Sequence, residues 1–316
     1  KMNTYFIYLE DNYRFKKYPT IGVGRGAFTA DQINELEAYA KQYHVELIPI
    51  FEMLGNQGTM WMNAEVLPFS EYPGSHSFAT DDAAFEFLES CFLELIAAFD
   101  SKYFHAALDE SCDRGFGKTE EEVKREGRGA VHAKHYRRLN KLFKEHGKTM
   151  IMYGDVIVNR DDPSVILNAI PKDIVLMDWV YGPKQHYDSV DKLAAHNFPL
   201  MVLPGLNNWS RIFPTTSAAL INIRNFTLDG IRHNAIGSFT STWGDFGSKN
   251  LREMNYFGYA YGGEVTWSPQ STDVAGFYDR FFTLHNGPET AARLRAVYGL
   301  LEKWPFGLPI VDYFRH

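Results

Sequence analysis

Short apolar runs rich in β-branched and aromatic residues alternate along the chain with stretches whose apolar positions recur every three to four residues. The runs Thr4–Leu9, Glu46–Ile50, Tyr103–Leu108, Thr149–Tyr153, Ile174–Asp178, Leu200–Leu203 and Gly237–Thr242 read as strands. The stretches near 30–43, 82–99, 120–146, 163–169, 187–196, 215–232 and 250–261 read as helices, and the tail adds two more, Asp273–Leu284 and Pro288–Lys303. Thr29-Ala30-Asp31-Gln32 supplies N-cap chemistry, and Thr119 with Glu122 three residues on has the form of a capping box. Strand then helix, repeated, predicts a parallel sheet in an α/β protein.

Glycines at Gly22, Gly24 and Gly26 follow no long apolar strand and lack dinucleotide-loop spacing. Without that fingerprint, the repeat points to a (β/α)8 barrel rather than a doubly wound sheet. Only seven strand runs are present, and the tail from Thr272 to Arg315 holds no eighth. Either a first strand precedes this chain or the barrel is incomplete. The expected organisation is a barrel over 1–268 and a helical extension over 269–316 packed on it.

In such a barrel the strand C-termini face the active site, so the residues ending each run are the candidates. They are Glu10 and Asp11; Glu52 and Asn56; Asp109, Glu110 and Asp113; Tyr153 and Asp155; Asp178, Trp179 and Tyr181; Asn207, Asn208 and Trp209; Trp243 and Asp245. Carboxylates and amides hydrogen-bond hydroxyls, and aromatic faces hold the C–H surface of a sugar ring. The adjacent acids Asp109 and Glu110 would point to opposite faces of an extended chain. Both reach one cavity only where the strand opens into its loop, and two carboxyls there invite opposite protonation states.

Composition narrows the partners. The 316 residues carry a formal charge of −7 with scattered basic groups, which argues against a nucleic-acid partner. No apolar run approaches the ~20 residues of a membrane span. The chain shows no export signal, and location stays open because a leader could have been removed. Six Trp, 18 Tyr and 24 Phe suit both sugar stacking and a large core. Cys91 and Cys112 have no metal-ligand spacing and read as buried free thiols. His105 reads as a core histidine, although with Asp109, Glu110 and Asp113 it also has the composition of a metal cluster. His132 and His135, beside Lys134, Arg137 and Arg138, read as a solvated helix face. No metal or cofactor is expected.

Four segments in order, Tyr8-Leu9-Glu10-Asp11-Asn12-Tyr13, Tyr18 to Gly26, His105 to Glu110 and Thr242 to Gly247, resemble the family 20 glycoside hydrolases, the β-N-acetylhexosaminidases. The resemblance runs from about residue 3 to about 250 and implies a retaining, exo-acting enzyme for terminal β-linked N-acetylhexosamine. It implies Glu110 as general acid and then base, and Asp109 as the group that orients and charge-stabilises the substrate's 2-acetamido group. In this scheme the acetamide oxygen attacks the anomeric carbon to form an oxazolinium intermediate, an exception to two-carboxylate hydrolysis. Tyr181 matches the tyrosine that hydrogen-bonds the acetamide, Trp179 and Trp209 its walls, and Trp243 with Asp245 the pair gripping the sugar. Asp11 matches the acid of the family's second strand. The family's first strand, which bears a hydroxyl-binding arginine, has no counterpart here.

Three positions depart from the family pattern. Leu54-Gly55-Asn56 stands where a Gly-His pair usually supports the acid, and asparagine carries neither proton nor positive charge. Ala107 replaces a common glycine two residues before Asp109, and Tyr153-Gly154-Asp155 stands where Trp then Asp is frequent. These departures suit another amino sugar or linkage; Asn56 with the missing first strand leaves open a carbohydrate-binding pseudoenzyme with the same pocket, and His105, Asp109, Glu110 and Asp113 a metal-dependent barrel hydrolase or isomerase.

Overall fold

The computed structural model describes residues 2–111, 113–158, 163–245 and 250–303. Strands β1 (Thr4–Tyr8), β2 (Glu46–Ile50), β3 (Tyr103–His105), β4 (Thr149–Tyr153), β5 (Val175–Trp179), β6 (Leu200–Leu203) and β7 (Gly237–Ser238) form one seven-stranded sheet in sequence order. Every register recorded is parallel. Among the described residues this is the α/β architecture of a (β/α)8 barrel with seven of its strands. β2, β4 and β6 are buried at nearly every position, which explains why they read as continuous apolar runs rather than as alternation.

The chain divides into two compact units, Met2–Met177 with Ala195–Pro199, and Asp178–Ala194 with Leu200 onward. The first holds helices α1 (Ala30–Gln42), α2 (Asp82–Ala98), α3 (Glu120–Glu126), α4 (Arg128–Glu145), α5 (Asp155–Val158) and α6 (Pro163–Ala169). The second holds α7 (Asp188–Ala194), α8 (Thr216–Arg232), α9 (Tyr256–Trp267), α10 (Val274–Asn286) and α11 (Pro288–Leu301). Within the second unit α8 to α11 share one core. Leu220, Ile223, Phe257, Tyr261, Phe277 and Phe282 are buried in it, and Phe257 stacks on Phe282 with ring centroids 5.4 Å apart.

In the first unit the register aligns the strand ends. Tyr8 pairs with Ile50, Ile50 with His105, and His105 with Ile151, so the residues that follow all emerge at the same edge. The ladder continues in irregular backbone past the strand ends: Phe51 N donates to His105 O at 3.0 Å, Met53 N to Ala106 O at 3.1 Å and Tyr153 N to Ala107 O at 2.9 Å.

Several expected elements are corrected. The 120–146 helix is two, because Gly127 at φ 85° ends α3 before α4 begins. The expected Thr119–Glu122 capping box does not form. The Thr119 hydroxyl donates to Glu71 instead, and Glu122 pairs with Lys134. The capping box at Thr29 and Gln32 does form. The helix expected at 250–261 begins as a 3-10 turn at Arg252–Asn255 and runs as α9 to Trp267.

His132 and His135 are buried rather than solvated. They lie on the inner stripe of α4 with Val131, Tyr136, Leu139 and Phe143, while Lys134, Arg137 and Arg138 turn to another face of the same helix. His135 Nε2 donates to Met53 O at 2.9 Å, and burial pulls its pKa down to about 3. His132 Nε2 lies 3.1 Å from the Ser111 hydroxyl. Cys91 is a buried free thiol, and Cys112 lies outside the described residues.

Candidate active site

The first unit assembles a cluster of carboxyls at the C-terminal ends of β1 to β4. β3 stops at His105, three residues earlier than its apolar run suggests, and the chain then turns through left-handed backbone at Ala107 (φ 56°), Leu108 (φ 73°) and Glu110 (φ 50°). Such conformations are costly without glycine and concentrate at functional sites. Asp109 and Glu110 are therefore not alternating strand residues. The Glu110 backbone N–H donates to Asp155 Oδ2 at 3.2 Å, which fixes the turn against the start of α5.

Asp109 is 7 % exposed and Asp155 also 7 %. Burial, then the nearby Asp155 carboxylate, push the pKa of Asp109 up to about 7, and Glu110 adds a smaller push in the same direction. Asn56, itself left-handed at φ 51°, donates from Nδ2 to Asp109 Oδ2 at 3.1 Å. Asparagine at this position thus supplies a donor to Asp109. Gly55 lets this loop approach: a Cβ there would lie 2.1 Å from Asp109 O and 2.7 Å from Ser111 N.

Glu52, two residues beyond β2, is 1 % exposed. Burial raises its pKa well above the usual carboxyl range, and Asp109 raises it further by charge and by hydrogen bonding. Tyr8, at the end of β1, faces the same group, and its own phenol is pushed up by burial and by Glu52. Tyr153 packs on His105 with ring centroids 4.3 Å apart. His105 is a buried core histidine: its Nδ1 accepts from Ala107 N at 2.9 Å, and burial pulls its pKa down to about 3.

Asp11 is 1 % exposed and committed elsewhere. It pairs with Arg25 Nε at 2.5 Å and accepts from the Thr59 hydroxyl at 2.8 Å, while the neighbouring Glu10 accepts from Gly58 N at 2.7 Å and Thr59 N at 2.6 Å. These acids tie the loop after β1 to the loop after β2. The metal reading of His105, Asp109, Glu110 and Asp113 fails on geometry. Asp113 turns away to accept from the Ser75 and Ser77 hydroxyls and from His76 N, and despite partial burial these bonds hold its carboxyl below the ordinary range. Among the described residues, the His, Asp and Glu group close enough to share an ion is His186, Asp188 and Asp191, on the surface of the second unit.

The second unit gathers the predicted aromatics. Trp179 stacks on Tyr181 with centroids 5.1 Å apart, Tyr181 meets Trp209 at 4.8 Å, and Trp243 Nε1 donates to the Tyr181 hydroxyl at 2.9 Å. Asn208 clamps the Trp243 backbone on both sides, donating to its O at 3.1 Å and accepting from its N at 3.2 Å. Asn207 Nδ2 donates to Tyr181 O at 3.1 Å. Asp245 is exposed at the end of this segment, next to the undescribed residues 246–249.

Three parts of this construction were not singled out from sequence: Glu52 as a partner of Asp109, Gly55 as the point of close approach, and Arg25 as the counterion of Asp11. The available signal for Glu52 was its strand-end position, which it shares with many capping acids.

The model of glycosyl hydrolase family 20, catalytic domain, matches residues 10–205. The chain belongs to this family. Beta-hexosaminidase subunit A2 of Dictyostelium discoideum is 34% identical over 123 residues, covering 35% of this chain and 23% of that protein. The fold is similar to that of β-N-acetylhexosaminidase from Bacteroides fragilis NCTC 9343, with TM-score 0.70 and 19% identity over 92% of this chain and 64% of that one. It is also similar to Flavobacterium johnsoniae chitobiase, with TM-score 0.69 and 17% identity over 92% of this chain and 47% of that one. A mutant Streptomyces plicatus β-hexosaminidase in complex with product GlcNAc aligns with TM-score 0.64 and 14% identity over 97% of this chain and 64% of that one. The chain therefore spans less than two thirds of each of these relatives. Among the described residues, no helix is long and apolar enough to cross a membrane.

Proposed function

We propose that this chain carries the catalytic centre of a retaining exo-β-N-acetylhexosaminidase that works by substrate-assisted catalysis. The observation that carries the reading is the Asp109–Glu110 turn at the end of β3, with Asn56 donating to Asp109 and Asp155 accepting from the Glu110 backbone. Glu110 would protonate the glycosidic oxygen and, in the second half-reaction, take a proton from water. Asp109 would accept the N–H of the substrate's 2-acetamido group, so that its carbonyl oxygen attacks the anomeric carbon. Adjacent residues suffice because the nucleophile arrives with the substrate. Tyr181 would hydrogen-bond the acetamide, Trp179 and Trp209 would wall it, and Trp243 with Asp245 would hold the sugar. Asp11, Asn56, Tyr153 and Asp155 would support the pair and its hydroxyl contacts. The reading takes residues 1–268 as the barrel and 269–316 as a helical extension of it.

The direct test is Glu110→Gln assayed on an aryl β-N-acetylglucosaminide. The variant is expected to lose roughly 10²–10⁴ in turnover, the usual worth of a general acid–base, while a thiazoline-type inhibitor still binds. Unchanged turnover would remove Glu110 from the mechanism. Inhibitor binding by a wild-type chain that hydrolyses nothing would make the protein a sugar-binding pseudoenzyme.

A further inference from the structure

In the second unit the segment leading from β5 into α7 is bonded to α8 along its length. Asn222 Nδ2 donates to Val180 O, Asn225 Nδ2 to Lys184 O and Tyr187 N to Asp229 Oδ2, each at 2.7 Å. These bonds hold residues 180–187, Tyr181 among them, against that helix. At the end of the segment His186, Asp188 and Asp191 bring a ring nitrogen and two carboxylate oxygens within 4.8 Å of one another. His186 Nε2 is 2.6 Å from Asp191 Oδ2 and 3.5 Å from Asp188 Oδ1.

What sets this group apart from an ordinary surface cluster stands behind the imidazole. Asp229 on α8 is fully buried, and its Oδ2 lies 3.2 Å from His186 Nδ1. Arg232 pairs with its other oxygen, which keeps Asp229 ionised. The Nδ1–H of His186 therefore donates to Asp229, and Nε2 is the nitrogen turned toward Asp188 and Asp191. A carboxylate on the far nitrogen of a histidine is the arrangement that orients metal-ligating imidazoles and raises their basicity. His233, which follows α8, places Nε2 2.6 Å from Asp191 Oδ1, so Asp191 is held by the oxygen that does not face His186.

A neutral imidazole has one N–H, and here both ring nitrogens of His186 face carboxylate oxygens. The Nε2 side needs a positive partner, either a second ring proton or a cation shared with the two carboxylates. Asp188, Asp191 and Asp229 set against Arg232 leave two negative charges when the imidazoles are neutral, which a dication balances. Imidazole nitrogen with carboxylate oxygen suits zinc and neighbouring first-row ions, whereas magnesium and calcium favour sets made of oxygen alone.

We infer that His186, Asp188 and Asp191 form a binding site for a divalent transition-metal ion of the zinc type, with Asp229 and His233 orienting the ligands. Bound there, the ion fastens the loop after β5, which carries Tyr181, to α7 and α8. The inference is independent of the reaction proposed above.

The test is titration of the chelator-treated chain with zinc, read by calorimetry and by the nitrogen resonances of its histidine side chains. Saturable one-to-one binding in the micromolar range is expected, with His186 Nε2 shifted by the metal while Nδ1 keeps its proton. Asp188, 85% exposed, can be changed without disturbing the interior, and Asp188→Ala is expected to weaken binding at least about tenfold. His186→Gln is expected to weaken it by more than about 100-fold, beyond the worth of an outer partner. Zinc should raise the melting temperature of the wild-type chain and leave that of His186→Gln in place. Three results would each overturn the inference: a wild-type chain that binds no zinc in the micromolar range, undiminished binding in either variant, or a doubly protonated His186 ring that zinc does not alter. The last would assign the cluster to an imidazolium ion pair. Should His186→Gln not fold, Asp188→Ala and the wild-type resonances decide the matter.

Discussion

Ala107 and Leu108 hold left-handed backbone at φ 56° and 73°, where an L side chain costs on the order of 1–2 kcal/mol each. That distortion brings Asp109 and Glu110 out of strand alternation. The same turn sets the electrostatics. Asp109 ionises at about 7 because it is buried and because Asp155 stands beside it. The proposed chemistry needs the carboxylate, which accepts the acetamide N–H. Activity carried by this group is therefore present above its pKa and lost as pH falls through it. Asp155→Asn keeps an acceptor for the Glu110 N–H and removes one like charge, so Asp109 should ionise more easily. The acid limb of kcat/KM is expected to move to lower pH, and a limb that stays in place would show that burial alone sets it. The identities of Asp109, Glu110 and Asn56 were legible from their places after apolar runs. The pairing of Asp109 with Glu52 was not, since partnership between residues 57 positions apart leaves no mark in either local pattern.

At the scale of elements, apolar runs located every strand because a parallel strand buried on both faces needs unbroken hydrophobicity. Where the runs overshot, at β3 and β7, the surplus residues continue the ladder in irregular backbone: Met53 N still donates to Ala106 O, and Phe239 N to Val202 O at 2.9 Å. Helices were less legible at their interior. Gly127 divides α3 from α4, and the burial of His132 and His135 follows the helical period rather than the charges adjacent in sequence. The loop between β2 and its first 3-10 turn depends on Gly55, whose missing Cβ permits the contact with Asp109 and Ser111. Gly55→Ala forces an overlap with backbone, costing about 1–3 kcal/mol as overpacking does, and the loop must withdraw. The expected result is loss of the Asn56–Asp109 bond and at least about a tenfold fall in kcat, with the melting temperature lowered only modestly. Full activity in this variant would mean that the loop does not support the acid pair.

At the scale of the whole molecule, two kinds of chemistry sit on the loops that follow the strands. The first unit holds buried carboxyls on the loops after β1 to β4, and the second holds the Trp179–Tyr181–Trp209–Trp243 cluster after β5 to β7. The strand-end rule for barrels anticipated both groups without knowledge of any ligand. It did not anticipate that Asp11 is neutralised by Arg25, because ion pairing through a loop depends on how that loop folds back. In the proposed mechanism the nucleophile belongs to the substrate. Turnover of aryl β-glucosaminides whose N-acyl group carries none, one, two or three fluorines decides whether it does. Each fluorine makes the acyl oxygen a poorer nucleophile while leaving the leaving group unchanged. A steep, monotonic fall in kcat/KM across the series is expected; a rate indifferent to acyl fluorination would assign the nucleophile to the protein.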